Sequence, residues 1–264
     1  MTTTYETLAL EEPAPHVALI RLNRPGASNA FNTRMGLDML ALFEGLAADP
    51  AAYRCLVLTG AGERAFCAGA DLKERDGMTD AAWQAQHLVF ERMTRAVLSC
   101  PVPLIGAVNG AAFGGGCELA LCCDFIYAST TARFAQTEVV LGVMPGAGGT
   151  QTLPRAIGAR RAKEVMLTGA PFSAQDAHDW GLVNRLCAPD RLLADALEAA
   201  GGIAANAPLA TQRIKHAVDI GLQTDLTSGL MFEIEAYNRL VPTEDRREGV
   251  RAFNEKRKPL FRGC

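Results

Sequence analysis

Four short apolar runs recur along the first half of the chain: Val17–Leu22, Cys55–Gly60, Leu104–Val108 and 124–128. Each is rich in Val, Ile, Leu or aromatic residues, and each except the last is bounded downstream by Gly, Asn or Pro. Runs this short read as strands. Between them lie longer stretches with helical spacing. From Asn32 onward Met35, Met39, Leu42, Phe43 and Leu46 repeat at intervals of three and four, with Asn32 or Thr33 as N-cap, and residues 80–99 form a second helix that Pro101 and Pro103 end. Strands that alternate with helices predict an α/β fold with right-handed crossovers.

Beyond about Pro189 the strand signal stops. Helical segments follow at roughly 190–206, 207–221, 224–240 and 243–257, and Leu226, Leu230, Ile234, Tyr237 and Leu240 fall near one helical stripe. The chain therefore divides into a core, 1–190, and a helical region, 191–264, whose apolar stripe suits packing on another body.

Several function classes drop out on composition. The formal charge is −3, which removes a global case for nucleic-acid binding. There is no uninterrupted apolar stretch of about 18 residues, so no membrane span is expected, and the first sixteen residues lack a basic start and an apolar run. None of the eight Cys forms a CxxC pair and the four His are scattered, so no metal site is expected and the thiols read as reduced, in a cytoplasmic protein.

The chemistry concentrates in three glycine-rich places: 65–73, 109–118 and 142–150. None is a dinucleotide fingerprint or a phosphate loop. Gly114-Gly115-Gly116 follows a strand and precedes the short helical run 117–122. Glycine lets backbone approach a ligand closely, and amides in the first turn of a helix lack intrahelical partners, so they suit a developing oxyanion. Glu118 falls in that first turn. Close packing of strand on helix, with Glu118 complementing the helix dipole, explains the same residues without a ligand. Cys67 and Cys117 lie inside these segments with no His nearby in sequence and read as packing residues, whereas Ser173 ahead of Asp176 reads as a helix cap.

Taken in order, Phe66-Cys67-Ala68-Gly69-Ala70-Asp71-Leu72-Lys73, Asn109-Gly110 through Gly114-Gly115-Gly116-Cys117-Glu118-Leu119-Ala120, Phe134-Ala135-Gln136-Thr137-Glu138 and Pro145-Gly146-Ala147-Gly148-Gly149-Thr150-Gln151-Thr152-Leu153-Pro154-Arg155 resemble the crotonase (enoyl-CoA hydratase/isomerase) superfamily. The likeness extends from Asn23-Arg24-Pro25 to the segment Phe253 to Lys258. It implies a crotonase-like spiral of repeated ββα units with a C-terminal helical trimerisation region. It also implies a homotrimer or a homohexamer built as a dimer of trimers, and an acyl-CoA thioester as substrate with no separate cofactor. Carried over by position, the thioester oxygen is held by the amides of Ala70 and Gly115. The two hydratase carboxylates are Glu118, which orients water, and Glu138, which exchanges a proton with the α-carbon.

The same resemblance places Ala27, Ser28, Ala68, Asp71, Leu72, Lys73, Gly114, Gly146, Phe253 and Lys256 at the substrate or its CoA. One departure stands out: many hydratases carry Lys directly after Asn-Arg-Pro, whereas this chain has Gly26. Phosphate contacts then rest on Arg24, Lys73, or Lys256 and its basic neighbours. The leading expectation is hydration of a 2-trans-enoyl-CoA. An enoyl-CoA isomerase, a branched methylglutaconyl-CoA-type hydratase (suggested by Ala70-Asp71-Leu72-Lys73-Glu74-Arg75) and a non-catalytic CoA-thioester or RNA binder are the alternatives. The acyl pocket is expected between the helix around 83–93 and the segment 139–144.

Overall fold

The computed structural model describes residues 5–264. Four successive units have the same order of parts. The first is β1 (Leu8–Ala14), β2 (Val17–Leu22) and α1 (Thr33–Ala48). The second is β3 (Cys55–Gly60), β4 (Ala65–Cys67), α2 (Leu72–Arg75) and α3 (Asp80–Leu98). The third is β5 (Leu104–Val108), β6 (Ala111–Phe113) and α4 (Gly115–Ala120). The fourth is β7 (Phe125–Ser129), β8 (Arg133–Ala135), a 3-10 turn at Glu138–Leu141, α5 (Gly149–Ile157) and α6 (Ala159–Thr168). Then come β9 (Phe172–Ser173), α7 (Ala174–Asp179), β10 (Arg185–Cys187), α8 (Leu192–Ala204), α9 (Pro208–Gly221), α10 (Leu226–Leu240) and α11 (Glu244–Asn254).

From the second unit on, the first strand of each unit joins a six-stranded sheet in the order β1-β2-β3-β5-β7-β10, and the second joins a four-stranded sheet, β4-β6-β8-β9. All pairings are parallel except β1 with β2 and β8 with β9. The spiral of ββα units anticipated from sequence is what the chain builds.

The apolar runs are continuous because both faces of the large sheet are covered. Ile20, Leu22, Leu56, Leu58 and Leu104 pack on one side with α1 and α3, while Val17, Leu19, Cys55, Val57 and Ile105 pack on the other against Leu192, Ala196 and Ala200 of α8. Alternate residues of one strand thus serve two cores. This places α8 on the sheet. The change in secondary structure near residue 190 and the change in packing do not coincide: the packing break falls after α8, since α9 buries only Pro208 and α10 only Ala236.

Helix starts follow the caps read from sequence. The Asn32 side chain accepts from the Met35 amide, and Ser173 and Asp176 form a reciprocal capping box. The strand expected at 124–128 is shifted by one, because the Asp124 carboxylate takes the Leu104 amide at 2.7 Å and ends the loop. β1 and the three-residue strands β4, β6 and β8 carry no readable periodicity in sequence and are not among the four strands expected there; backbone pairing with neighbours defines them.

The second sheet brings the glycine segments together. A Cβ on Gly116 would overlap the carbonyl oxygen of Cys67, which is backbone and has nowhere to go, whereas Gly45 in α1 has nothing within 4 Å. Gly116→Ala is expected to destabilise the fold by at least about 1–3 kcal/mol. Gly45→Ala is expected to stabilise it by roughly 0.5–1 kcal/mol through helix propensity. Urea unfolding of both variants checks this, and equal midpoints would show that the close approach is not limiting.

Candidate active site

The segment after β4 and the segment after β6 meet edge to edge. Gly69 and Gly114 both adopt positive φ, +91° and +52°, and a Cβ on Gly69 would lie 2.8 Å from the Phe113 carbonyl and 3.2 Å from the Gly115 amide nitrogen. Phe31 locks the first segment: its amide donates to the Gly69 carbonyl (2.8 Å) and its carbonyl accepts from Asp71 (3.0 Å). Its ring lies beneath Gly115, where a Cβ would sit 2.5 Å from Cζ. Among the described residues, neither the Ala70 amide nor the Gly115 amide donates to a protein acceptor, while the flanking amides of Asp71 and Gly114 do. Two uncommitted N–H groups on adjacent rigid segments are what an oxyanion site needs.

Glu118 follows on α4 with 3% of its surface exposed. One oxygen, Oε1, accepts from the amides of Ala147 and Gly149, both at 2.8 Å. Those amides belong to the turn into α5, so the third glycine segment serves as a cradle for Glu118. Burial raises the carboxyl's pKa, and the amides of Gly149, Ala147 and Gly146 oppose that rise by favouring the anion.

Glu138 opens the 3-10 turn after β8. Both its carboxyl oxygens are shielded from solvent and neither has a hydrogen-bond partner. Burial pushes its pKa up to about 7, its own amide pulls the other way, and the Glu118 charge adds a smaller rise. Two carboxyls therefore share one cleft in unlike surroundings. Glu118 has donors that hold a negative charge, and Glu138 has none and retains a proton near neutrality. Such a pair separates the roles of base and acid.

The cleft is lined by Ala68, Ala70, Leu72, Gly114, Gly115, Glu118, Glu138 and Gly146 from the sequence expectations. Phe90 and His87 of α3 and Leu141, Val143 and Met144 close it, as anticipated for 83–93 and 139–144. The remaining expected contacts lie elsewhere. Ala27 and Ser28 stand outside the lining, and the Ser28 carbonyl instead holds the Ala68 amide at 3.1 Å. Asp71 caps α2 through the amides of Lys73 and Glu74 and pairs with Arg24 at 2.8 Å. Arg24 is therefore committed to the fold, since it also donates to the Ala30 carbonyl. Lys73, Phe253 and Lys256 are exposed and do not line the cleft. In the basic C-terminal stretch, Arg257 is tied to Glu248 and Glu255.

A larger hollow, about 1300 Å³, opens between α9 and the body. It holds neither glutamate and neither free amide. Sequence reading missed Phe31, which locks the oxyanion segments, because the type and position of a single side chain gave no signal for it; Arg75 and His87, which share the acyl end, fell in segments singled out there but were assigned no role. Cys67 and Cys117 are fully buried, and burial pushes the Cys67 thiol up to about 12 and the Cys117 thiol up as well, so both pack and neither is a nucleophile.

The sequence model of the family described as Enoyl-CoA hydratase/isomerase matches residues 12–263. A crystal structure of an enoyl-CoA hydratase from Bacillus anthracis superposes with a TM-score of 0.96 at 42% identity, covering 98% of this chain and 100% of that one. The crotonyl-CoA hydratase of Syntrophomonas wolfei is 38% identical over 97% of this chain and 98% of its own length. The short-chain-enoyl-CoA hydratase of Clostridium acetobutylicum is 40% identical over 92% of each.

The raised pKa of Glu138 has a signed consequence for stability. Between the ordinary carboxyl value of 4.5 and about 7 the folded protein keeps a proton that the unfolded chain has lost. Stability from this group is therefore present at low pH and is lost as pH rises through 7. Glu138→Gln is expected to raise the melting temperature relative to wild type more at pH 8 than at pH 5; a difference independent of pH would remove the buried proton from the account.

Proposed function

The chain belongs to the enoyl-CoA hydratase/isomerase family, and from that premise we propose that it adds water across the double bond of a 2-trans-enoyl-CoA to give the 3-hydroxyacyl-CoA. The observation that carries this reading is the unlike pair, Glu118 accepting from two amides that favour its anion and Glu138 without a partner and raised to about 7, facing one cleft beside two free backbone N–H groups.

The thioester oxygen accepts from the amides of Ala70 and Gly115, which draws electron density from C3. A water held by Glu118 gives its proton to that carboxylate as its oxygen bonds to C3. The π pair moves to C2, the charge rests on the thioester oxygen as an enolate, and Glu138 delivers its proton to C2. Reprotonation of Glu138 and loss of the proton from Glu118 reset the pair. Addition of water changes no net oxidation state, so the reading calls for no cofactor beyond the CoA that the substrate carries. With both carboxyls in place the site is equipped for hydration, where moving a double bond needs only one. Eight free cysteines suit a reducing compartment such as the cytoplasm; no helix of the described residues is long and apolar enough to cross a membrane.

The CoA phosphates, with Gly26 in place of a Lys and Arg24 paired to Asp71, fall to exposed cations such as Lys73, and to Lys256 beside Phe253 if a second copy supplies them. Assembly is part of this reading. Ile234 and Tyr237 of α10 are 57% and 63% exposed, with Leu226 and Leu230 on the same helix and Ile214 and Val218 on α9 equally uncovered. A face this apolar supports self-association, and the family implies a homotrimer or a homohexamer for it.

Loss of the conjugated enoyl absorbance of crotonyl-CoA measures the reaction directly. Wild-type protein is expected to turn over, and Glu118→Gln and Glu138→Gln are each expected to lower kcat by roughly 10²–10⁴; full rates in either variant would remove that residue from the mechanism. Light scattering is expected to give a trimeric or hexameric mass for wild type and a smaller one for Ile234→Asp, and a monomeric wild type would exclude the assembly.

A further inference from the structure

Each turnover described above leaves the two carboxyls in the wrong states for the next. Glu118 has gained a proton from water, and Glu138 has lost one to C2. The pair is ready again only when a proton has left Glu118 and another has reached Glu138. Neither group meets solvent freely: Glu118 is 3% exposed, and both carboxyl oxygens of Glu138 are shielded.

Among the described residues the cleft is lined by two further ionisable side chains, Arg75 and His87. Arg75 cannot pass a proton on, because a guanidinium stays charged throughout the working pH range. It is also fixed in the wall. Nε donates to Gln86 at 2.8 Å, Gln86 in turn donates to Glu74 at 2.7 Å, and the guanidinium lies 4.0 Å from the ring centre of Trp83. His87 is of a different kind. An imidazole takes up and releases a proton near neutral pH and does so at either of two nitrogens.

α3 runs along the turn that cradles Glu118. A Cβ on Gly148 would lie 3.7 Å from Thr94 Cγ2, and one on Gly146 would lie 2.5 Å from Cε1 and 2.8 Å from Nε2 of His87. Only a glycine at 146 lets the ring come this close. The next residue, Ala147, gives its amide to Glu118 Oε1 at 2.8 Å. The imidazole and the carboxyl are thus seated on consecutive residues of one turn, and His87, half-buried, is the more exposed of the two. Its ring nitrogens make no hydrogen bond to any described residue, so the fold commits neither of them. The charged groups around it in the cleft are Arg75 from α2, Glu118 from α4 and Glu138 from the 3-10 turn; Glu91, one turn along α3, is paired with Arg95 at 2.5 Å.

We propose that His87 is the proton carrier that resets the carboxyl pair. Through a bridging water, Glu118 passes the proton gained in hydration to the neutral imidazole, and the imidazolium returns one through water to Glu138. One proton leaves Glu118 and one reaches Glu138, so the cycle balances with no co-reactant. The proposal rests on the hydratase reading, with both glutamates acting as described.

A soluble buffer can replace a proton carrier but not a packing residue. In dilute buffer His87→Ala is expected to lower kcat for crotonyl-CoA roughly tenfold, less than the 10²–10⁴ of a group that acts on the reacting atoms, with KM little changed. Added imidazole is expected to restore most of that loss and to leave the wild-type rate unaltered. His87→Gln keeps a polar side chain against Gly146 yet carries no proton. It is expected to lose kcat as well, to slow in D2O by a larger factor than wild type, and to serve if His87→Ala does not fold. A wild-type kcat in His87→Gln, a D2O effect in it equal to that of wild type, or a loss in His87→Ala that imidazole does not relieve would overturn the proposal and leave the hydratase reading standing. No turnover of crotonyl-CoA by the wild type would overturn both.

Discussion

The close approach of two backbone segments, Cys67–Ala70 and Gly114–Gly116, governs the rest of the structure. No side chain can stand between them: a Cβ on Gly116 meets the Cys67 carbonyl, and one on Gly69 meets that of Phe113. Parallel pairing of β4 with β6 and of β6 with β8 sets that distance, and Phe31 pins it from a separate element. The Ala70 and Gly115 amides are thereby fixed side by side before any ligand arrives. Preorganisation of this kind removes the reorganisation that flexible donors or water would need during reaction.

The electrostatics follow from the same packing. Glu118 and Glu138 are both drawn from water, yet only Glu118 is offered amides by the turn into α5. A buried carboxyl without donors is costly to ionise, and this cost keeps a proton on Glu138 near neutrality. The fold thus tolerates an unsatisfied polar group where a stability-optimised core would not, a common trade at functional sites. The acyl end repeats the pattern with opposite sign, for Arg75 is oriented by a buried amide yet left without a counter-ion.

Much of this was legible in the residues. Continuous apolar runs at Val17–Leu22, Cys55–Gly60 and Leu104–Val108 fixed the buried sheet because strands covered on both faces need no polar alternation. Caps at Asn32 and Ser173 marked helix starts through local hydrogen bonds. The ordered motifs resembled the enoyl-CoA hydratase/isomerase family, and that resemblance implied an acyl-CoA site and the roles of Glu118 and Glu138. Strands of three residues were not legible, since so short a run has no period, and their pairing partners lie 22–46 residues away. Asp71 and Ser28 illustrate a different limit. The resemblance places both at the ligand, and their positions gave no sign that the Asp71 carboxylate caps a helix and pairs with Arg24 or that the Ser28 carbonyl holds Ala68.

The sequence by itself determined the class of fold, the alternation of the longer strands with helices and the acidic and glycine residues available for chemistry. These depend on local spacing and on residue type. Tertiary structure decided which amides remain free, which glutamate carries the proton and which basic side chains reach the acyl end. Those properties arise from burial and from partners distant in the chain, and the environment of a carboxyl or a guanidinium exists only once the segments around it have met.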